Sequence, residues 1–263
     1  MGKIVRIAGV AEGDTVLEVG PGRGVLTAAL LASGAHVVAV EADRGLIPLL
    51  QERFQAEIAA GRLSLVHEDI RRFIPTIGVE PLHRGSTPMV YSVVANIPYY
   101  LTGEIIRGFL AARVQPKSMT LLVQKEVAER AVGKVEGKDS KESLLSLSIK
   151  AYGVPKYAGK VGRALFSPVP KVDSAILHID NIDRTFFTNT AAPLDEAAFF
   201  DLLHAGFAHK RKQLASNLAS LQGREHVLRA FAEQGLNPHI RAEDLSIEKW
   251  RSLLISLKQN AEI

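Results

Sequence analysis

The 263-residue chain contains no cysteine. That excludes disulfides, thiolate nucleophiles and cysteine-based zinc sites, and it fits a reducing cytoplasm. A long apolar run is also missing. The most apolar stretch, residues 25–40, is interrupted by Thr27, Ser33, Gly34 and His36, so neither a membrane span nor an N-terminal signal is expected. The eight histidines show no ligand spacing; His204 and His209, five apart, fall on different faces of a helix. No metal site is expected. Internal repeats and low-complexity tracts are absent too. What remains is 47% apolar and 23% charged residues, the balance of a soluble globular protein. The length suits one large domain, or a main domain with a smaller one.

Strong net charge is lacking as well, at +4, but its distribution is uneven. Residues 112–171 hold twelve Lys and Arg against five Asp and Glu, whereas residues 1–111 hold ten against eleven. A polyanion approaching the middle of the chain would meet that excess. A solubilising lysine surface accounts for it equally well.

Four strand-like runs occupy the first half: 15–19 ending at Gly20, 36–40 ending at Glu41, 63–66 ending at His67-Glu68-Asp69, and 89–95 ending at Asn96. Helical patterns separate them at 25–33, 44–60 (Pro48 being tolerable only near a helix start) and, after the fourth run, 102–112. This alternation predicts an α/β, Rossmann-like fold with a mostly parallel sheet. Glu18, Glu41, Asp69 and Asn96 follow one another at 23, 28 and 27 positions, each about one βα unit. They share one phase and should meet outside the carboxyl ends of the strands, where open α/β sheets bind ligands. Further strands are expected at 119–123, 144–151 and 172–179, a polar loop at 133–140 and a linker at 181–194. Beyond it the pattern is helical: Phe199, Leu203 and Phe207 share one face, Leu214, Leu218 and Leu221 another, and a last helix runs from about Ser246 through Trp250 to Leu257. The expected domains are 1–181 and a helical 182–263.

Gly20-Pro21-Gly22-Arg23-Gly24 joins the first strand to the first helix. A dinucleotide loop places its third glycine one residue later and seats a pyrophosphate. Here Glu18 stands beside the loop, an awkward neighbour for a pyrophosphate but a suitable one for a cationic cofactor such as S-adenosylmethionine. Glycine lets the backbone approach such a ligand closely. Glu41 is placed for ribose hydroxyls and Asp69, followed by Ile70, for an adenine amine. Asp43 and Glu68 read as solvated acids or caps.

Asn96-Ile97-Pro98-Tyr99 follows the fourth strand. An exocyclic adenine amine is a poor nucleophile because its lone pair is delocalised into the ring. The Asn96 side-chain carbonyl and the Ile97 backbone carbonyl, fixed by Pro98, are suited to accept its two N–H bonds and stabilise charge as it develops. Tyr99 is suited to stack on a base taken out of its stack. A strand end closed by an Asn-x-Pro turn, with Tyr99 as a packing residue, is the plainer reading.

Taken together, residues 16–24, 40–43, 67–69, 96–99, 124–130, 166–174 and 210–214 resemble, in order, the motifs of the small-subunit rRNA adenine N6-dimethyltransferases. The resemblance implies S-adenosylmethionine as cofactor, contacted through Glu18, Gly20, Gly22, Gly24, Glu41, Asp69, Ile70 and Asn96. It implies target-base contacts at Asn96, Ile97, Pro98 and Tyr99, with Phe166 on the second face of the base; Phe166 otherwise reads as a core aromatic. It implies that Lys210, Arg211 and Lys212 lie on rRNA phosphate. The expected partner is small-subunit rRNA in a pre-ribosomal particle, and the expected enzyme is a cytoplasmic monomer without metal. Two departures stand out: the family's N-terminal Gln-Asn-Phe-Leu type segment has no counterpart here, and Ile97 replaces the usual leucine, as in large-subunit (Erm-type) enzymes. An Erm-type activity and a non-catalytic RNA-binding assembly factor stay open as alternatives; a dinucleotide oxidoreductase is the weakest.

Overall fold

The computed structural model describes residues 1–74, 90–133, 141–163, 172–189 and 193–259. Seven strands form one sheet: β1 (Thr15–Val19), β2 (His36–Glu41), β3 (Leu63–His67), β4 (Ser92–Asn96), β5 (Ser118–Gln124), β6 (Val154–Val161) and β7 (Ser174–Asp180). Their order is β3-β2-β1-β4-β5-β7-β6. The first five are parallel, and β7 runs antiparallel between β5 and the edge strand β6. Register does the positioning. Val19 lies opposite both Val40 and Ala95, and Glu41 lies opposite His67. One residue further, Gly20, Glu41 and Asn96 therefore reach the same level at the carboxyl edge.

The strands are apolar on both faces, as a sheet covered on both sides requires. Val16, Val37, Ala39, Val94, Leu122 and Ile176 form one core with α1 (Gly2–Ala8), α2 (Val25–Ala32) and α3 (Ile47–Arg53). Helices also cover the other side, on which α5 (Ile70–Phe73) and the amphipathic α6 (Thr102–Ala111) bury Ile70, Ile105, Ile106 and Phe109. The single helix expected over 44–60 is two, α3 and α4 (Gln55–Ala59). Phe54 breaks the helical path at φ −117°, ψ 29° and buries its ring. Pro48 sits in the first turn of α3, where its missing N–H costs nothing.

Contacts divide the chain into two compact units, residues 1–129 with 153–183, and residues 130–152 with 184–263. The sequence reading kept 130–152 in the first domain. After α7 (Lys125–Val132), the strand expected at 144–151 is instead helix α8 (Leu144–Lys150). Its Leu-Ser alternation imitates a strand, but the serines serve the helix. Ser143 accepts from the Ser146 N–H at 3.0 Å and Ser146 Oγ accepts from the Ser143 N–H at 2.7 Å, a reciprocal cap. Ser148 Oγ donates to the Leu144 carbonyl at 2.6 Å.

Strand β6, with Pro155 and Gly159 inside it, was not anticipated, and the expected linker contains a short helix, α9 (Thr185–Thr188). The second unit continues with α10 (Glu196–Gly206), α11 (Leu214–Gln222), α12 (Arg224–Glu233) and α13 (Ile247–Gln259). Leu214 and Leu218 are buried, whereas Leu221, expected on the same face, is exposed near the end of its helix. Among the described residues no helix is long and apolar enough to cross a membrane.

Candidate active site

At the tip of β1 the chain turns through Gly20, Gly22 and Gly24 with φ of 66°, 57° and 76°, a region that favours glycine. The three are not equivalent. A Cβ at Gly24 would stand 2.4 Å from the Phe54 ring, so this glycine lets α2 begin against Phe54 and Leu50. Gly20 and Gly22 face open space, with nothing within 4 Å of an added Cβ. The loop is fixed from behind. Gly20 N–H donates to the Val40 carbonyl at 2.9 Å. Gly22 N–H donates to Glu41 Oε2 at 3.1 Å, and Asp43 N–H donates to Glu41 Oε1 at 2.9 Å. Glu41 thus clasps the glycine loop to the tip of β2 while buried itself.

Glu18 is the unusual group. It is 1% exposed, and its Oε2 has no hydrogen-bond partner among the described residues. Burial pushes its carboxyl up to about 7; the Glu41 charge adds to the rise and neighbouring Thr27 opposes it. A buried carboxyl left short of a partner, beside a loop open enough for a ligand, fits a cationic group. Asp69 caps α5, accepting from the Arg71 N–H at 2.9 Å. Its carboxylate also takes the Arg71 guanidinium on both oxygens, which holds it down at about 2. Ile70 behind it is buried.

At the end of β4, Asn96 is exposed, and in the residues that follow Ile97 is buried, Pro98 exposed and Tyr99 half-buried. Pro98 holds an extended backbone at φ −54°, ψ 131° and passes into a 3-10 turn at Tyr99–Leu101. That turn uses its own carbonyls: Leu101 N–H donates to Pro98 at 3.0 Å and the Thr102 hydroxyl to Tyr99 at 3.2 Å. The Tyr99 hydroxyl lies 3.0 Å from that of Ser174, a fully buried residue at the start of β7. Lys125 N–H donates to the Asp173 carbonyl at 3.0 Å, anchoring this strand start beside β5. Ser174, at the end of the 166–174 stretch, and Arg71 have no role legible in the sequence; neither residue type signals its partner along the chain.

Register thus brings Gly20, Gly22, Glu41 and Asn96 to one sheet edge. Lys210, Arg211 and Lys212 are exposed in the second unit, in the turn after α10. Asn217 holds that turn, donating through Nδ2 to the Gly206 carbonyl at 2.5 Å and to that of His209 at 3.2 Å. Phe166 lies outside the described residues, as does most of its motif, residues 164–171. No group of three or more His, Asp or Glu side chains placed to hold a metal occurs among the described residues.

A mostly parallel sheet with a glycine turn after β1, an acid ending β2 and an Asn-Ile-Pro-Tyr corner at the end of β4 defines a Rossmann-like methyltransferase. The comparisons narrow this class. The family model for ribosomal RNA adenine dimethylase matches residues 1–259, and the chain belongs to that family. It is 38% identical over 99% of its length to ribosomal RNA small subunit methyltransferase A of Dehalococcoides mccartyi, covering 84% of that protein. It is 34% identical over 97% of its length to the protein of the same name from Lactiplantibacillus plantarum, again covering 84%. Among solved structures, the 23S rRNA methyltransferase ErmE superposes with a TM-score of 0.69 at 25% identity, over 98% of this chain and 96% of that one. A dimethyladenosine transferase from Plasmodium falciparum gives 0.77 at 23%, over 98% and 95%, a likeness of fold.

Proposed function

We propose that this protein dimethylates the N6 amines of two adjacent adenines near the 3′ end of small-subunit rRNA, late in subunit assembly, with S-adenosylmethionine as methyl donor. The observation that carries the reading is the register that sets Gly20, Glu41 and Asn96 at one level of one sheet edge. Small-subunit rRNA is preferred to large because relatives at 34–38% identity carry the small-subunit name, against 25% for ErmE.

The residues fit the cofactor. Gly20 and Gly22 leave room at the loop, and Glu18 offers a cation a buried carboxyl whose Oε2 has no partner among the described residues. Glu18, Glu41, Asp69 and the glycine backbone would hold it, with Ile70 and Gly24 supporting that wall. When bound, S-adenosylmethionine supplies an electrophilic methyl group on a sulfonium. The chain's part is to orient and polarise the amine. The Asn96 side-chain carbonyl and the Ile97 backbone carbonyl accept the two N–H bonds and favour a pyramidal nitrogen. Tyr99, its hydroxyl on Ser174, stacks on the everted adenine, and Phe166 takes the other face. No general base is required, because the alkylated amine sheds its proton readily to water; orientation and electrostatics provide the rate. The proposal includes a cytoplasmic monomer acting on a pre-ribosomal particle, with Lys210, Arg211 and Lys212 on rRNA phosphate.

The test is radiolabelled methyl transfer to immature small subunits and to large subunits, followed by mapping of dimethyladenine. Label near the 3′ end of small-subunit rRNA is expected. Label confined to the large subunit would make the enzyme Erm-type, and binding without transfer would make it an assembly factor. Tyr99→Ala should keep S-adenosylmethionine affinity by calorimetry and lose most transfer; loss of both would remove the stacking role.

A further inference from the structure

The residue after the proposed catalytic corner has no part in the account so far. Tyr100 is 85% exposed, the most exposed large hydrophobic side chain among the described residues. A single exposed aromatic is common and means little alone. Its position and company distinguish this one. It is the middle residue of the 3-10 turn Tyr99–Leu101, so its backbone is held next to that of Tyr99. Arg71, locked on both oxygens of Asp69, lies within electrostatic reach of Tyr100. At the other side of the turn begins α6, and there Gly103 carries no side chain. An added Cβ would stand 3.6 Å from Arg107 Nη1, so this guanidinium lies over the first turn of the helix. Glu104, which interacts with Arg71, and Asp69, which pairs with it, are acids on this surface. An exposed ring on a surface that also carries two guanidinium groups suits unpaired nucleotides: bases stack on the ring and phosphates meet nearby cations.

We propose that Tyr100, exposed in the turn beside Tyr99 on a surface that also carries Arg71 and Arg107, forms a stacking platform for the nucleotide adjacent to the everted adenine. This rests on the reading of Asn96–Tyr99 as the target-base corner. The chemistry follows from that reading. Turning one base out of its stack leaves its neighbour with an uncovered face, and the loss is recovered if an aromatic ring takes the vacated place. Two bases in succession would then be held by two tyrosines in succession, Tyr99 inside the site and Tyr100 at its rim. The substrate class is single-stranded RNA, or a loop with unpaired purines on either side of the target.

The test uses the full chain with a short RNA hairpin carrying adjacent unpaired adenines. RNA affinity is measured by anisotropy, methyl transfer in single turnover and S-adenosylmethionine affinity by calorimetry. Tyr100→Ala should weaken RNA binding about tenfold, within the range of one lost base stack, and leave cofactor affinity unchanged. Tyr100→Phe and Tyr100→Trp should bind like the parent. The decisive arm replaces the nucleotide on each side of the target, one at a time, by an abasic residue. At one side the abasic change should weaken the parent as Tyr100→Ala does and add nothing to Tyr100→Ala. Full additivity on both sides overturns the platform, as does unchanged RNA affinity in Tyr100→Ala or a joint loss of RNA and cofactor binding. If the parent transfers no methyl to the hairpin or to immature subunits, the catalytic reading fails instead. Abasic non-additivity in RNA binding would still stand as a result about Tyr100.

Discussion

At the scale of single residues, Glu18 sets stability against binding. Its carboxyl has an ordinary value of 4.5 and rises to about 7 in the fold, chiefly through burial. Between those values the folded protein holds a proton that the unfolded chain has released, so stability falls as pH rises through this window. The shift corresponds to a loss of about 3 kcal/mol by pH 8 relative to pH 4.5. Asp69, held down at about 2 by Arg71, changes protonation only below this range. The parent should therefore unfold more easily at pH 8 than at pH 5, and Glu18→Gln should remove that share of the difference. Thermal denaturation at the two pH values checks it. Calorimetry should show the same variant binding S-adenosylmethionine at least tenfold more weakly at pH 8. An unaltered pH profile would mean that Glu18 is not the burdened group.

At the scale of elements, packing around glycine gives a second expectation. Gly206 ends α10 directly under Trp250, a fully buried residue of α13. A Cβ there would come within 2.3 Å of Trp250 Cη2 and 3.0 Å of Leu214 Cδ1. Alanine should gain about 1 kcal/mol in helix propensity, but overpacking at a site this tight costs about 1–3 kcal/mol. The indole cannot withdraw easily, since it stacks on Phe207 at a ring distance of 5.9 Å. Gly206→Ala should lower unfolding free energy in urea by up to about 2 kcal/mol, and a smaller side chain at position 250 should reduce that penalty.

The elements also show what could be read along the chain. The four strand tips were legible because each apolar run ends in a glycine, an acid or an asparagine at regular spacing. The helix α8 was not, because Leu and Ser alternate while the deciding contacts are hydroxyl bonds to the helix's own backbone and, from Ser146, to Glu142 at 2.6 Å. Strand β6 was hidden because an edge strand has one partner and carries Pro155, Lys156 and Lys160. At the site, motif spacing named the β1, β2 and β4 tips. The Tyr99–Ser174 bond joins residues 75 positions apart, and no local pattern announces such a pair.

At the scale of the whole molecule, bulk charge does not explain RNA binding. The first unit holds seventeen basic and sixteen acidic residues, and the second fifteen and twelve. The basic excess of residues 112–171 is largely answered within the fold. Lys117 pairs with Asp14, Lys125 with Glu129, Lys141 with Glu243, Lys150 with Glu142, Lys156 with Asp180 and Lys160 with Asp173. Charge counted along the chain therefore overstates what a polyanion would meet on this stretch. Lys210, Arg211 and Lys212 differ. They are exposed, make no ion pair among the described residues, and sit in a turn held by Asn217. Three phosphate contacts would release about two counterions. Changing all three residues to Gln should thus lower the slope of log affinity against log salt by about 2, with S-adenosylmethionine affinity unchanged. Binding to immature small subunits across a salt series measures this. A slope equal to the parent's would take the cluster off the RNA and leave affinity to the charges around Tyr100. Replacing Asn217 by Ala separates charge from placement. It keeps all three cations and removes the two bonds that hold their turn, so affinity should fall while the slope changes by less than in the triple variant.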